Sequence, residues 1–405
     1  MSGTRPAVAG LFFWLAAATA ADPAADGKAI AEAHCNSCHP LARAAAGYSP
    51  QGWDTVLRMM QNHGVVIPGN DLPALREYLV TTYPERAKPP ARLLSGPITV
   101  SMTQWQVPTP GSRPHDPLAA KDGSYWYTGQ MSNKLGRIDP RSNAVTEYAL
   151  VPAHSGPHGL AEDGDGRIWY TGNAAGLIGR FDPKTGEVMR YPLPDPEARD
   201  PHTPIFDRNG ILWFTVQQAN RIGRLDPKSG DIELFSVPTP KSRPYGMALD
   251  SQGDIFVVLF GANRIAKVDV KTAAIREYVL PDPAARPRRI ALTRDDLVWY
   301  TDYARGYLGR LDPASGEVRE WPSPSGSKSE PYGISAVDGV VWYSESGTRP
   351  NTVVRFDPRT ADFQTWPIPG GGDIVRNTSV APDGAVVMAN SLVNQITVVR
   401  VQSSR

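Results

Sequence analysis

Three regimes of apolar spacing follow one another along the chain. Residues 7–18 form a continuous apolar run containing Leu11-Phe12-Phe13-Trp14-Leu15, preceded by Arg5 and ending in Ala18-Thr19-Ala20. A basic start, about a dozen apolar residues and a small-x-small end read as a secretory signal peptide over residues 1–21, too short to be retained across a bilayer. No later stretch is apolar enough to span one. Between Gly27 and Val80 the spacing becomes helical, over residues 27–33, 53–64 and 75–80. Asp71 is placed to cap the last of these with Pro73 in its first turn, and Leu75, Tyr78 and Leu79 share one face. From Thr99 onward, short apolar runs alternate with Gly, Pro and Asp turns, the pattern of β-strands.

The strand-like part repeats. Arg137-Ile138-Asp139, Arg180-Phe181-Asp182, Arg224-Leu225-Asp226, Lys267-Val268-Asp269, Arg310-Leu311-Asp312 and Arg355-Phe356-Asp357 set their aspartates 43, 44, 43, 43 and 45 residues apart. A second series, Trp126, Trp169, Trp213, Phe256, Trp299 and Trp342, keeps the same step and finds a seventh member near Val387; a third runs from Trp105 through Tyr148 and Tyr191 to Trp366. Four short strands in about 43 residues is the period of a propeller blade, and helical repeats of this length lack so many Gly, Pro and β-formers. Residues 99–107 supply only a last strand and residues 386–401 only earlier ones. Joining them closes the ring in blade seven and leaves no long unpaired edge. The expected fold is therefore multidomain: a small all-α domain over 22–84, a proline-rich semi-rigid linker over 85–98, and an all-β seven-bladed β-propeller over 99–405.

Charge removes some partners. The 405 residues carry 42 Lys plus Arg against 41 Asp plus Glu, so no basic excess exists for nucleic acid or an anionic membrane. The two cysteines both lie in His34-Cys35-Asn36-Ser37-Cys38-His39. A CxxCH run reads as covalent haem c attachment: the thiols add to the two vinyl groups of one porphyrin, and His39 gives its imidazole to the iron. A redox dithiol or a disulfide is the alternative. Haem is joined to such sites outside the bacterial inner membrane, so signal peptide and haem motif agree on a periplasmic protein.

This region resembles the small class I cytochrome c domains, on CxxCH, on Trp53-x-x-Val56-x-x-x-Met60-x-x-x-Gly64 and on a closing Tyr78-Leu79 helix. The resemblance implies a methionine thioether as second axial ligand. Met60 is best placed, then Met59, with His63 and His34 as rivals; a core position is the commoner fate of a methionine. It also implies single-electron transfer to a partner protein. So short a domain buries little apolar surface without its cofactor.

The repeat resembles the streptogramin B lyase family of seven-bladed propellers. The matching phrases are Trp126-Tyr127-Thr128 with Asn133-Lys134-Leu135-Gly136-Arg137, Pro157-His158-Gly159, Trp213-Phe214-Thr215 with Asn220-Arg221-Ile222-Gly223-Arg224, and Trp342-Tyr343-Ser344-Glu345. That family opens a cyclic depsipeptide by elimination, with a magnesium ion on glutamates and a histidine base. The resemblance places Glu330 and Glu345 as the pair for a divalent cation such as Mg2+. It places Tyr332 where the base belongs and Arg288 where a second histidine belongs. A tyrosine near pKa ten is a poor base at neutral pH unless strongly activated.

Each blade has an equivalent position about eleven residues before its aromatic: His115, His158, His202, Tyr245, Arg288 and Tyr332, with Asn377 roughly corresponding in blade seven. Such positions lie on a circle around the axis and face one mouth of the central channel, where a small molecule or partner binds. His115, His158, His202 and Tyr332 are the candidate catalytic residues. Three histidines can ligate a metal or protonate an anion, or they can be hydrogen-bonded loop residues. Asp302 and Glu345 share a further position beside the same pocket. Three function classes result: a c-type cytochrome with a ligand-binding propeller, as an oxidoreductase component; a metal-dependent carbon–oxygen lyase; and a docking scaffold.

Overall fold

The computed structural model describes residues 23–36 and 40–402. The signal segment, Cys38 and His39 lie outside the described residues. The described chain divides into two compact units: the residues up to Trp53 with Val66–Glu85, and Asp54–Val65 with Arg86 onward.

The helical expectation is met by α1 (Pro23–Cys35), α2 (Pro50–Asn62) and α3 (Leu72–Thr82), with a 3-10 stretch at Leu41–Ala46. Leu75, Tyr78 and Leu79 are buried, as their spacing predicts. Helices α1 and α3 approach so closely that a Cβ on Gly27 would lie 2.3 Å from the Ala74 carbonyl oxygen and 2.5 Å from Tyr78 Cβ. Only glycine permits that crossing. The indole of Trp53 donates to the Tyr83 carbonyl at 2.9 Å. The Asp71 cap is not formed: its side chain makes no capping hydrogen bond, and its backbone carbonyl receives the Leu75 N–H at 3.0 Å instead. The helix starts at Leu72, and Pro73, which has no N–H to satisfy, lies in its first turn.

The second unit is a propeller in which the described residues form seven four-stranded antiparallel sheets. Blade one runs from the innermost strand Pro114–Ala119 through Tyr125–Gly129 and Lys134–Asp139 to the outer Ala144–Ala149. In blade seven the order is Val375–Val380, Val386–Asn390, Gln395–Val401 and then Val100–Gln106, paired from Val100 with Val401 to Gln106 with Gln395. The N-terminal strand thus closes the ring, as the phase offset of the repeat requires.

Five blades take their core from a Trp-aromatic-hydroxyl phrase, where blade four has Phe256-Val257-Val258 and blade seven Val387-Met388-Ala389. Trp126, Trp169, Trp213 and Trp299 are buried between blades, while the following aromatic lies across the strand on a glycine: a Cβ on Gly136 would be 1.9 Å from the Tyr127 ring. The Leu-Gly-Arg glycine is therefore a packing requirement. The turn aspartate of blade two accepts the indole N–H of Trp169 at 2.9 Å and, through its other oxygen, the N–H groups of Asp165 and Arg167.

The proline-rich stretch read as a linker lies along blade six. The Ala91 N–H donates to the Arg349 carbonyl at 3.2 Å, the Leu94 N–H to Thr365 Oγ1 at 2.7 Å, and the Arg92 N–H to Ser325 Oγ at 2.9 Å. Proline-poor backbone between the prolines supplies donors, so the segment adds partial strand pairing to the blade.

Candidate functional site at the channel mouth

In blades one to six the innermost strand begins with a proline followed by an irregularity in its register, for example between Pro157 and Leu160. That bulge frees one backbone N–H and turns the residue after proline toward the axis. A hydroxyl on the second strand makes the connection good: Thr171 Oγ1 accepts the Gly159 N–H of its own blade at 2.8 Å and donates to the His202 carbonyl of the next blade at 2.8 Å. Thr128 does the same for Asp116 and His158, Thr215 for Thr203 and Tyr245, and Thr301 for Arg289 and Tyr332. Blade four has Val258 at this place, so Arg288 lacks that hydroxyl lock.

The ring residues meet as the repeat predicts. Ring centroids of His115 and His158 are 3.6 Å apart, of His158 and His202 3.8 Å, and of His202 and Tyr245 3.8 Å. The hydroxyls of Tyr245 and Tyr332 are 2.6 Å apart. The guanidinium of Arg288 lies 3.9 Å from the Tyr332 ring, 4.2 Å from Tyr303, 4.7 Å from Phe260 and 5.4 Å from Tyr245. In blade seven the assignment changes. Val375 takes the proline position, opposite Asn390, so the ring residue is Arg376, and Asn377 stands one place further.

That further place forms a second layer. In blades two, four and six it is Gly159, Gly246 and Gly333; a Cβ on Gly159 would meet the His202 carbonyl oxygen at 2.3 Å. In the other four blades it is Asp116, Thr203, Arg289 and Asn377, and these bond across the channel. Arg289, 2% exposed, donates to Asp116 Oδ1 at 2.9 Å, to Thr203 Oγ1 at 3.2 Å and to the Arg376 carbonyl at 3.2 Å. Asn377 donates to Asp116 Oδ2 at 2.9 Å, and His115 Nδ1 is 2.8 Å from Asp116 Oδ1. The sequence signal for this layer was the loss of glycine from the Pro-x-Gly phrase at those four positions.

Electrostatics divide the ring. Burial, then the cations Arg376, Arg289, Arg113 and Arg288, hold the His115 imidazole well below its ordinary value. His158 and His202 are lowered in the same direction, first by burial and then by their histidine neighbours. All three histidines are therefore neutral. On the other side, burial works to raise the Tyr332 phenol, but Arg288, Arg376, Arg289 and the Tyr245 hydrogen bond outweigh it and bring it down to about 8. Its partner Tyr245 is pushed up to about 12, chiefly by burial and by Tyr332. Burial opposes the Arg288 charge, and Tyr332, Tyr245 and Tyr303 overcome that and keep it protonated.

His115, Asp116 and His158 have ligand atoms within 4.8 Å of one another, a grouping that can hold a metal ion. Asp116 is already engaged by Arg289, His115 and Asn377, and surrounding guanidiniums oppose a further cation. Glu345 is fully buried, and its oxygens accept from Ser323 Oγ, Ser325 N–H, Ser325 Oγ and Thr352 Oγ1 at 2.6–2.8 Å. Glu330 accepts the Tyr303 hydroxyl at 2.8 Å, and its backbone carbonyl receives the Ser346 N–H. Both glutamates thus come from one corner of blade six. Asp302 is held by Arg305 Nε at 2.6 Å and by the Arg286 N–H, a turn-closing role.

Cys35 ends α1, half-buried, without a disulfide partner among the described residues; burial raises its thiol. Met59 is 5% exposed and Met60 half-buried on α2. His34 is half-buried, and His63 Nε2 lies 3.1 Å from Met131 Sδ.

A family model for the virginiamycin B lyase family matches residues 97–346 and 262–404, which together span the whole propeller. The chain belongs to the virginiamycin B lyase family. A streptogramin B lyase structure superimposes with a TM-score of 0.69 at 25% identity, covering 75% of this chain and 98% of that one. The virginiamycin B lyase of Staphylococcus aureus gives 0.67 at 24%, covering 74% and 99%, and a catalytically inactive variant of it with quinupristin gives 0.67 at 25%. A hydrazine synthase of Kuenenia stuttgartiensis shares the fold at 0.60 and 16% identity, covering 75% of this chain and 99% of that one. No curated protein matches the chain. Family membership covers the propeller and leaves the helical unit outside it.

Proposed function

We propose that this family member is an exported haem c protein, periplasmic, whose helical domain passes single electrons and whose propeller binds a ligand at its channel mouth. The observation that carries the proposal is the CxxCH run holding the chain's only two cysteines. Cys35 and Cys38 would hold the porphyrin, and His39 and Met60 would ligate its iron. The donor set fits the group: two thiols, an imidazole and a thioether are what a low-spin electron-transfer haem takes. Bound there, haem supplies reversible one-electron chemistry. The chain's own residues give that group its surroundings: thioether ligation raises the potential relative to bis-histidine and leaves no position for oxygen. The test is a reduced-minus-oxidised visible spectrum of protein expressed in a periplasm. The expected result is a haem c α-band with a weak long-wavelength methionine-to-iron band, the latter lost in Met60→Ala. No haem at all leaves Cys35 and Cys38 as a dithiol and ends the reading.

One observation favours a second reading, a lyase-like elimination. Tyr332 stands where the family resemblance puts a histidine base, and a phenol near 8 is about one-tenth ionised at pH 7. In that reading Tyr332 takes the proton, and Glu330 with Glu345 holds a divalent cation such as Mg2+. Its test is elimination from an ester-bearing cyclic depsipeptide with and without added Mg2+; activity lost in both Tyr332→Phe and Glu330→Gln supports it, and no turnover in the wild type removes it.

A further inference from the structure

The blade-four-to-seven side of the mouth carries a charge without a counter-charge. Arg288 is largely enclosed by four aromatic rings, and no carboxylate forms an ion pair with it among the described residues. Its Nε is buried with no hydrogen-bond partner among the described residues. His158, 4% exposed, has its Nδ1 likewise buried and unpartnered. A buried donor without an acceptor costs stability unless something supplies one. Arg376 adds a second guanidinium whose Nε is bonded to Ser391 Oγ at 2.9 Å and which forms no ion pair among the described residues. Asp116 is consumed by Arg289, and Glu330 accepts the Tyr303 hydroxyl. Phe260 and Tyr303 keep half-buried ring surface beside Arg288, with centroids 6.3 Å apart in an edge-on arrangement.

We propose that Arg288 and Arg376 form a binding site for a small organic carboxylate with a planar apolar body, its charge paired with the guanidiniums and its body lying against Phe260 and Tyr303. This deepens, and rests on, the reading that the propeller binds a ligand at its mouth; it does not depend on the haem. Guanidinium–carboxylate pairing in a site walled by aromatic rings is shielded from water, which strengthens it. The neutral histidines on the far side offer N–H donors without adding charge. A carboxylate placed there also offsets the cations that acidify Tyr332, so binding and the ionisation of Tyr332 oppose each other.

The test uses the full-length holoprotein and isothermal titration with benzoate, benzamide as its neutral isostere, and acetate as an anion without the planar body. Benzoate is expected to bind, with benzamide and acetate each weaker by about tenfold or more. Arg288→Gln should weaken benzoate by about tenfold or more, Arg288→Lys by less, and Arg376→Gln should weaken it independently. Should Arg288→Gln fail to fold, Arg376→Gln and the benzamide comparison decide the matter. Equal binding of benzoate and benzamide, unchanged benzoate binding in both glutamine variants, or no benzoate binding at millimolar concentration each overturns the proposal. If the protein expressed in a periplasm acquires no haem, the electron-transfer reading fails, and benzoate binding by that same protein leaves this site standing.

Discussion

In blades one to three the ring position holds His115, His158 and His202, tilted against one another with centroids 3.6 and 3.8 Å apart; in blades four to six the same strand position holds Tyr245, Arg288 and Tyr332. The backbone device recurs in both halves: a proline, a bulge and, at His158, His202, Tyr245 and Tyr332, a hydroxyl from the preceding blade. The chemistry is opposite. One half is neutral and packed ring against ring, while the other concentrates guanidinium charge against aromatic rings and acidifies a phenol. The repeat fixes where a side chain points, and single substitutions fix what it does. The halves are joined by Arg289, which reaches from blade five to Asp116 in blade one.

Cutting that joint should have the largest effect. Arg289→Met leaves Asp116 buried among His115 and Asn377 without its cation, and a loss of about 3–5 kcal/mol is expected in chemical denaturation. A loss below about 1 kcal/mol would mean that the halves are not held together there.

The histidine half should reveal itself through pH. Folded-state values well below the ordinary 6.5 mean that the unfolded chain binds more protons than the folded one once pH falls below about 6.5. Stability should therefore fall on acidification from pH 7 toward 5, by up to about 1.4 kcal/mol per pH unit for each histidine. Melting temperatures of wild type and His202→Gln across that range check it. The variant should show a shallower decline, and identical slopes would contradict neutral histidines.

On the aromatic half, Tyr245→Phe deletes the hydroxyl 2.6 Å from Tyr332 and should cost about 1 kcal/mol. It should also move the Tyr332 titration upward, since that hydrogen bond helps hold the phenol down. The smallest effect should come from an arginine outside the ring. Arg224 pairs with exposed Glu233 and stacks 5.8 Å over Trp213, and Arg224→Ala should change stability by less than about 1 kcal/mol.

Much of this was legible in the chain. The aspartate and tryptophan spacings gave seven blades, and the strand-phase offset gave their closure, because both follow from local turn chemistry and strand alternation. His115, His158, His202, Tyr245, Arg288 and Tyr332 could be placed on one circle for the same reason. Blade seven could not be read well: with Val375 in place of proline, its register slipped by one, and Asn377 stood in for Arg376. The Asp116–Arg289 link joins residues 173 positions apart and could not be inferred from one blade at a time. The acidification of Tyr332 was hidden too, since it arises from three arginines in two blades converging on one phenol. Asp71 holds the capping position that the sequence indicates, without the side-chain capping bond.

The most direct measurement is an ultraviolet difference titration of the full-length protein, wild type minus Tyr332→Phe, repeated in an Arg288→Gln background. A phenolate rising with a midpoint near pH 8, displaced toward 10 when Arg288 is neutralised, is the expected result. A midpoint at 10 or above that ignores the loss of Arg288 would contradict the division of the ring into a neutral and a cationic half.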